Sequence, residues 1–242
     1  MKSGETAVLI DAGISLKELA RRMATLGLSP ESLDAVIISH GHSDHVIGVP
    51  VLCRRLGIPA YFNEATGLES SLQVALPDGL GRNFVTGESF SIGDIDIRPF
   101  HVPHDCSEPV GFVISDGSVK VCYATDLGSI TLDVVHSFCG CDAVVLESNH
   151  DEAMLRDGPY PSFLKKRVAG PHGHLSNDDA AELLQGIAHQ GLQHLFLAHL
   201  SQKNNLPELS LQAAVTALGS RYAGVDVSLG WQDKASELIT LG

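Results

Sequence analysis

The chain has 242 residues, 44% of them hydrophobic, and 16 lysines and arginines against 29 aspartates and glutamates give it a formal charge of −13. That composition describes a folded globular protein of one large domain or two small ones, and the charge argues against a broad basic surface for nucleic acid. It leaves a nuclease open, because bound metal ions carry positive charge that a residue count omits.

No apolar run reaches the ~18 residues of a membrane-spanning helix, and MKSGETAVLIDAG lacks the basic, apolar and cleavage regions of a secretory leader. The cysteines (Cys53, Cys106, Cys122, Cys139, Cys141) are odd in number, so five ordinary thiols are expected rather than a disulfide scaffold. A cytoplasmic location is the expectation.

Thr6 to Ile10 reads as a strand entering the turn Asp11-Ala12-Gly13. Leu16, Leu19, Ala20, Met23, Ala24 and Leu26 have helical spacing, with Gly27 as a stop. Ala35 to Ile38 is a short apolar strand, followed by SHGHSDH at 39–45, a helix over 46–56 ended by Gly57, and a strand over 58–62. This β–site–α–β order is an α/β arrangement. Further on, FSIGDIDI gives a strand-and-turn signal, and 110–114 with 119–124 reads as a hairpin about Asp116-Gly117-Ser118. Val144 to Leu146 is a buried strand. Ser176 with Asp179 caps a helix running to about His189, Leu195 to Ala198 is a strand, Leu209 to Leu218 a helix and Ala223 to Leu229 a last strand. No linker divides these segments, so a single domain over 1–242 is expected.

In His40-x-His42-x-Asp44-His45 the side chains at 40, 42 and 44 share a direction if the segment is extended. A helix beginning at Ser43 swings His45 toward the same cavity. Four such side chains in six positions directly after a strand point to a metal rather than to a solvated polar loop. Histidine mixed with aspartate is compatible with zinc, manganese or iron.

HGHSDH matches the HxHxDH signature of the metallo-β-lactamase superfamily, and the chain resembles that family along nearly its whole length. His104 in HVPHDCSEPVGFVI, Asp126 in VCYATDLG and His199 in LFLAHLS fit the family's later ligand positions. The resemblance implies an αββα sandwich of two mixed sheets with helices outside. It also implies two divalent metal ions, Zn2+ or Mn2+, one taking His40, His42 and His104 and the other Asp44, His45 and His199, with Asp126 bridging. His101, three residues before His104, is expected to be structural.

ESNHDEAML, GHLSNDDAAELL and LAHLSQKNNLPE, with LIDAGIS and ATDLG, resemble the YycJ/WalJ-type group within that superfamily. Its members are regarded as metal-dependent DNA exonucleases or related phosphodiester hydrolases. This implies DNA as substrate, with RNA open, and neither a membrane nor an obligate protein partner. Asp44, His174 and His150 are the expected catalytic side chains, His174 and His150 facing the substrate or supporting those that do. Ser176 is better explained as an N-cap than as a catalyst. Asn149 is weighed like His150, as a substrate contact or a local hydrogen-bonding group. Asn204-Asn205 are expected to shape the rim near His199. Arg156, Lys165, Lys166 and Arg167 form the clearest local supply of positive charge, as a phosphate contact or a solvated helix face. The group starts with a strand and a SGSSGN-like turn before LIDAG. Here Lys2-Ser3-Gly4-Glu5 leads almost directly into Val8-Leu9-Ile10, so that first strand is expected to be missing and a sheet edge exposed. The rival readings are a hydrolase of a small ester, lactone, thioester or cyclic phosphate, and a truncated member without activity.

Overall fold

The computed structural model describes all 242 residues. The chain divides into two compact units, Met1–His101 with Cys106–Asp116, and Val102–Asp105 with Gly117–Gly242.

In the first unit, β1 (Lys2–Ser3), β2 (Thr6–Ile10), β3 (Ala35–Ile37), β4 (Ala60–Phe62) and β5 (Gly81–Asn83) lie in that order in one sheet. β1 is antiparallel to β2 and the other neighbours are parallel. Parallel strands covered on both faces read as unbroken apolar runs, and Ala35, Val36 and Ile37 are fully buried. The outer edge of β2 carries the short strand β1. Lys2 and Ser3 pair with Ala7 and Thr6, and Met1 and Val8 exchange hydrogen bonds of 2.7 and 2.8 Å, so three residues cover an edge expected to be bare.

α1 (Leu16–Thr25) is capped by Ser15, whose hydroxyl accepts from Glu18 N. Its Leu16, Leu19 and Met23 pack on a core that includes Val36, Ile38, Val49, Leu52 and Phe62. The helix expected over 46–56 is instead two, α2 (Ser43–Val46) and α3 (Val49–Leu56). The break has a backbone cause: the Gly48 N–H donates to Ala12 O, and Pro50 has no N–H to give. α4 (Glu64–Glu69) and α5 (Leu72–Ala75) follow, then the antiparallel strands β6 (Phe90–Ile92), β7 (Ile95–His101) and β8 (Val110–Ser115).

In the second unit, β9 (Lys120–Ala124), β10 (Ala143–Glu147), β11 (His194–Ala198) and β12 (Asp226–Leu229) are parallel neighbours in that order. The connections hold α6 (Leu132–Phe138), α7 (Glu152–Asp157), α8 (Ser162–Val168), α9 (Asn177–Ile187) and α10 (Pro207–Leu218). Ser176 and Asp179 form the expected capping box at the start of α9. No helix is long and apolar enough to cross a membrane. This is the mixed α/β architecture of two sheets and flanking helices that the family resemblance implied.

Open parallel sheets bind ligands beyond the carboxyl ends of their strands. In the first unit those ends deliver Asp11 after β2 and Ser39-His40 after β3; in the second they deliver Asp126 after β9, Glu147 on β10 and His199 after β11.

Candidate metal centre

The histidine-rich segment of the first unit is built on Asp11. Its carboxylate accepts from Ser39 N at 2.8 Å, Ser39 Oγ at 2.7 Å and His45 Nδ1 at 2.8 Å. With its proton given to Asp11, Ser39 Oγ accepts from His40 Nδ1 at 3.0 Å. Both histidines thus have Nδ1 anchored and present Nε2 as a lone pair, the arrangement by which an outer oxygen orients a ligating imidazole. His40 Nε2 lies 3.1 Å from His42 Nδ1. Two nitrogens on one tetrahedral zinc, each about 2.0–2.1 Å from it, are separated by roughly 3.3 Å, so these two are spaced as donors to one ion.

α2 begins at Ser43 and brings His45 round. Asp44, largely exposed in its first turn, has Oδ2 3.9 Å from His45 Nε2. The backbone of α2 rests directly on the turn after β2. A Cβ on Gly13 would stand 1.4 Å from Asp44 O, so only glycine fits there.

The second unit is organised by Glu147. This side chain is fully buried and accepts four hydrogen bonds: Oε1 from His174 Nδ1 at 2.8 Å and His199 Nδ1 at 2.7 Å, Oε2 from Leu127 N at 2.7 Å and Leu175 N at 3.2 Å. Burial alone would push its carboxyl up, but the two imidazoles outweigh that and hold it well below the usual carboxylate range. For His174 burial opposes the charged ring, and the Glu147 charge and hydrogen bond more than offset it, so its pKa is raised.

Asp126 is 3% exposed, and its Oδ1 lies 3.5 Å from His199 Nδ1, 3.6 Å from His104 Nε2 and 3.8 Å from His174 Nδ1. His104 donates Nδ1–H to Gly173 O at 3.0 Å, and its pKa is lowered, chiefly by burial, so the ring is neutral with Nε2 on the Asp126 side. Gly173 is required beside it: a Cβ there would stand 2.2 Å from the carbonyl oxygens of Arg167 and Val168. Within this unit Asp126, Glu147, His174 and His199 offer ligand atoms all within 4.8 Å of one another. Anchored imidazoles mixed with carboxylates are the donor chemistry of zinc, manganese or iron, so the residues present fit a divalent ion.

The remaining expected residues fall elsewhere. His101 is exposed at the end of β7. Asn204 and Asn205 are 0% and 4% exposed, so they do not form a rim; Asn205 donates to Ser148 O and Asn149 O inside a buried amide network. Asn149 Nδ2 donates to His199 O at 2.8 Å and holds that backbone. His150 is 2% exposed, forms a bridge with Ser176 and has no hydrogen bond at Nδ1; it belongs to none of the ligand groups. Sequence reasoning assigned no role to Asp11, Ser39 or Glu147. The available signal was a carboxylate closing an apolar strand, in VLID and AVVLE.

Burial holds the His150 ring neutral by lowering its pKa from the ordinary 6.5. The unfolded chain then takes up this proton first as pH falls. Stability from this group is complete above 6.5 and declines below it toward the folded pKa, by up to about 1.4 kcal/mol per pH unit. Urea unfolding of His150→Leu between pH 5 and 8 is expected to show a shallower acid slope than the parent; equal slopes would refute the assignment.

Comparison with known proteins gives a consistent result. The family profile described as "Beta-lactamase superfamily domain" matches residues 6–199. The chain is 33% identical over 243 residues to a Streptococcus pneumoniae protein named Exodeoxyribonuclease WalJ, covering 99% of this chain and 90% of that one. It is 33% identical over 237 residues to the Bacillus anthracis protein named Exodeoxyribonuclease YycJ, covering 98% and 90%. Among solved structures, the metallo-beta-lactamase fold protein YhfI from Bacillus subtilis superposes with a TM-score of 0.71 at 22% identity, over 95% of this chain and 86% of that one, a likeness of fold.

Proposed function

This chain belongs to the beta-lactamase superfamily, and from that premise we propose that it is a dinuclear metal-dependent exonuclease acting on DNA ends in the cytoplasm, with residues 1–242 working as one catalytic domain. The observation that carries the reading is the likeness to two proteins named exodeoxyribonucleases over 98–99% of the chain. The ligand set is His40, His42 and His104 for one ion and Asp44, His45 and His199 for the other, with Asp126 between them. The ions are Zn2+ or Mn2+. When bound, two such ions acidify a water and polarise the phosphoryl oxygen of an anionic diester.

The chain's own residues do the rest. Asp11 and Ser39 fix the rings of His45 and His40, and Glu147 fixes His199. His174, with Nδ1 tied to Glu147, keeps Nε2 for the departing oxygen. His150, buried and bridged to Ser176, serves as a support for the loop before α9 rather than as a substrate contact.

A panel of single- and double-stranded DNA, RNA, bis(p-nitrophenyl) phosphate, a thioester and a lactone, run with Zn2+, Mn2+ and Mg2+, tests the reading. DNA ends are expected to be cleaved fastest. His42→Ala should abolish cleavage, and His174→Ala should lower turnover more than it lowers metal content. No DNA cleavage with any metal, or faster turnover of the thioester or lactone, would overturn it.

A further inference from the structure

We propose that the exposed face of α8, made by Phe163, Lys166 and Arg167, docks an unpaired nucleic-acid strand, with Phe163 as the platform on which a base stacks. The proposal rests on the nuclease reading above and narrows it to substrates with single-stranded or frayed ends.

The helical period separates two faces of α8. Leu164 and Val168, four residues apart, are half-buried, whereas Phe163, Lys166 and Arg167, at i, i+3 and i+4, all face solvent. No residue of α8 is fully buried, and Phe163 is 74% exposed, so its ring contributes little to the core. Lys165-Lys166-Arg167 is the longest run of cations in a chain of charge −13. The adjacent pair Arg21 and Arg22, by comparison, is taken up by Glu18. An aromatic ring beside unburied cations is the pairing that takes up single strands, because every base has a face to stack and every phosphate a charge to match.

α8 is also braced to the loop that carries His174. His174 N donates to Val168 O at 2.9 Å and Gly173 N to Gly170 O at 2.8 Å. Gly173 O holds His104, and Arg167 pairs with Asp105, the residue after His104. From Phe163 to Val168 the helix rises about 7.5 Å, roughly the rise of two stacked nucleotides at about 3.4 Å each. A strand passing from the His174 loop along α8 would bring an unpaired base onto Phe163. An intact blunt duplex hides its base faces, so it gains nothing from this ring except at its end.

The full metal-loaded chain is titrated with a single-stranded, phosphorothioate-linked oligonucleotide carrying 2-aminopurine, which reports stacking without being consumed. Quenching is expected with the parent and with Phe163→Trp. Phe163→Ala should bind about tenfold more weakly, and Lys166→Glu should bind more weakly with a salt slope lower by about one. In turnover, the loss of kcat/KM caused by Phe163→Ala on single-stranded DNA should exceed any loss on bis(p-nitrophenyl) phosphate at least fivefold. Parent-like binding by both Phe163→Ala and Lys166→Glu overturns the proposal, as does a parent that shows no quenching, the outcome expected if the patch serves a protein partner. The nuclease reading fails by a different result: a parent that hydrolyses bis(p-nitrophenyl) phosphate but no DNA.

Discussion

Glutamine at position 147 is expected to destabilise the protein by about 3–5 kcal/mol, the usual effect of breaking a buried charged pair from one side. Glutamine nearly preserves shape, so the effect isolates charge and hydrogen-bond polarity. All four groups around Glu147 are N–H donors: two imidazoles and the amides of Leu127 and Leu175. An amide NH2 in place of either oxygen faces donors with a donor and leaves buried N–H groups without acceptors. The histidine rings also lose their common anchor, and weakening such support typically costs about 10–100-fold in metal affinity. Urea unfolding of the metal-free chain and competition with a chelator measure the two effects. A variant within about 1 kcal/mol of the parent would show that Glu147 is not the organising group.

The pH profile gives a second handle on the same residue. Glu147 has a depressed pKa, so its stabilisation is complete above the ordinary 4.5 and is lost as pH falls through the folded value of about 2. His174 has a raised pKa, so its stabilisation is complete below 6.5 and is lost as pH rises through its folded value. The metal-free pair therefore contributes fully only between 4.5 and 6.5, and the glutamine variant should lack both flanks.

On the proposed ligand set, Asp126→Asn is expected to lower kcat/KM on DNA by on the order of 10^3-fold, since it weakens the hold on ions whose Lewis-acid action is worth several kcal/mol. Stability should change by less than about 1 kcal/mol, because asparagine matches aspartate in size and tolerates the same left-handed backbone. Asp126 has φ +59°, so alanine there would add a conformational penalty of about 1 kcal/mol or more and confuse the two effects. Turnover together with a thermal melt separates them. An asparagine variant that keeps most of its activity would exclude Asp126 as the shared ligand.

The fold class and the superfamily were legible because their signals are local or ordered along the chain. HGHSDH is contiguous, and the later ligand candidates Asp126 and His199 each follow an apolar strand. The outer groups were hidden for the opposite reason. Glu147 meets its partners 20 to 52 residues away, and Asp11 meets Ser39 and His45 across 28 and 34 residues. No local pattern carries such pairings. α4, α5, α7 and α8 each span fewer than two or three turns, too short for a hydrophobic period to stand out. The break between α2 and α3 depends on where Gly48 sends its N–H, a tertiary choice. Asn205 looked like a surface residue by type, and only the fold supplies the amide network that lets it be buried.

Asp11, Asp126 and His199 share one property beyond position: each leaves its strand in the left-handed region, at φ +56°, +59° and +59°. Glycine would relax the backbone at all three, and asparagine is among the side chains that tolerate it best. At 126, selection for chemistry and selection for folding therefore pull in different directions. A duplicated copy freed from its reaction would drift toward glycine or asparagine at 126, whereas 11 and 199 stay held by the hydrogen bonds of Asp11 with Ser39 and His45 and of His199 with Glu147. Such a copy would persist as a well-folded descendant, and that substitution would mark lost chemistry in a chain that still folds.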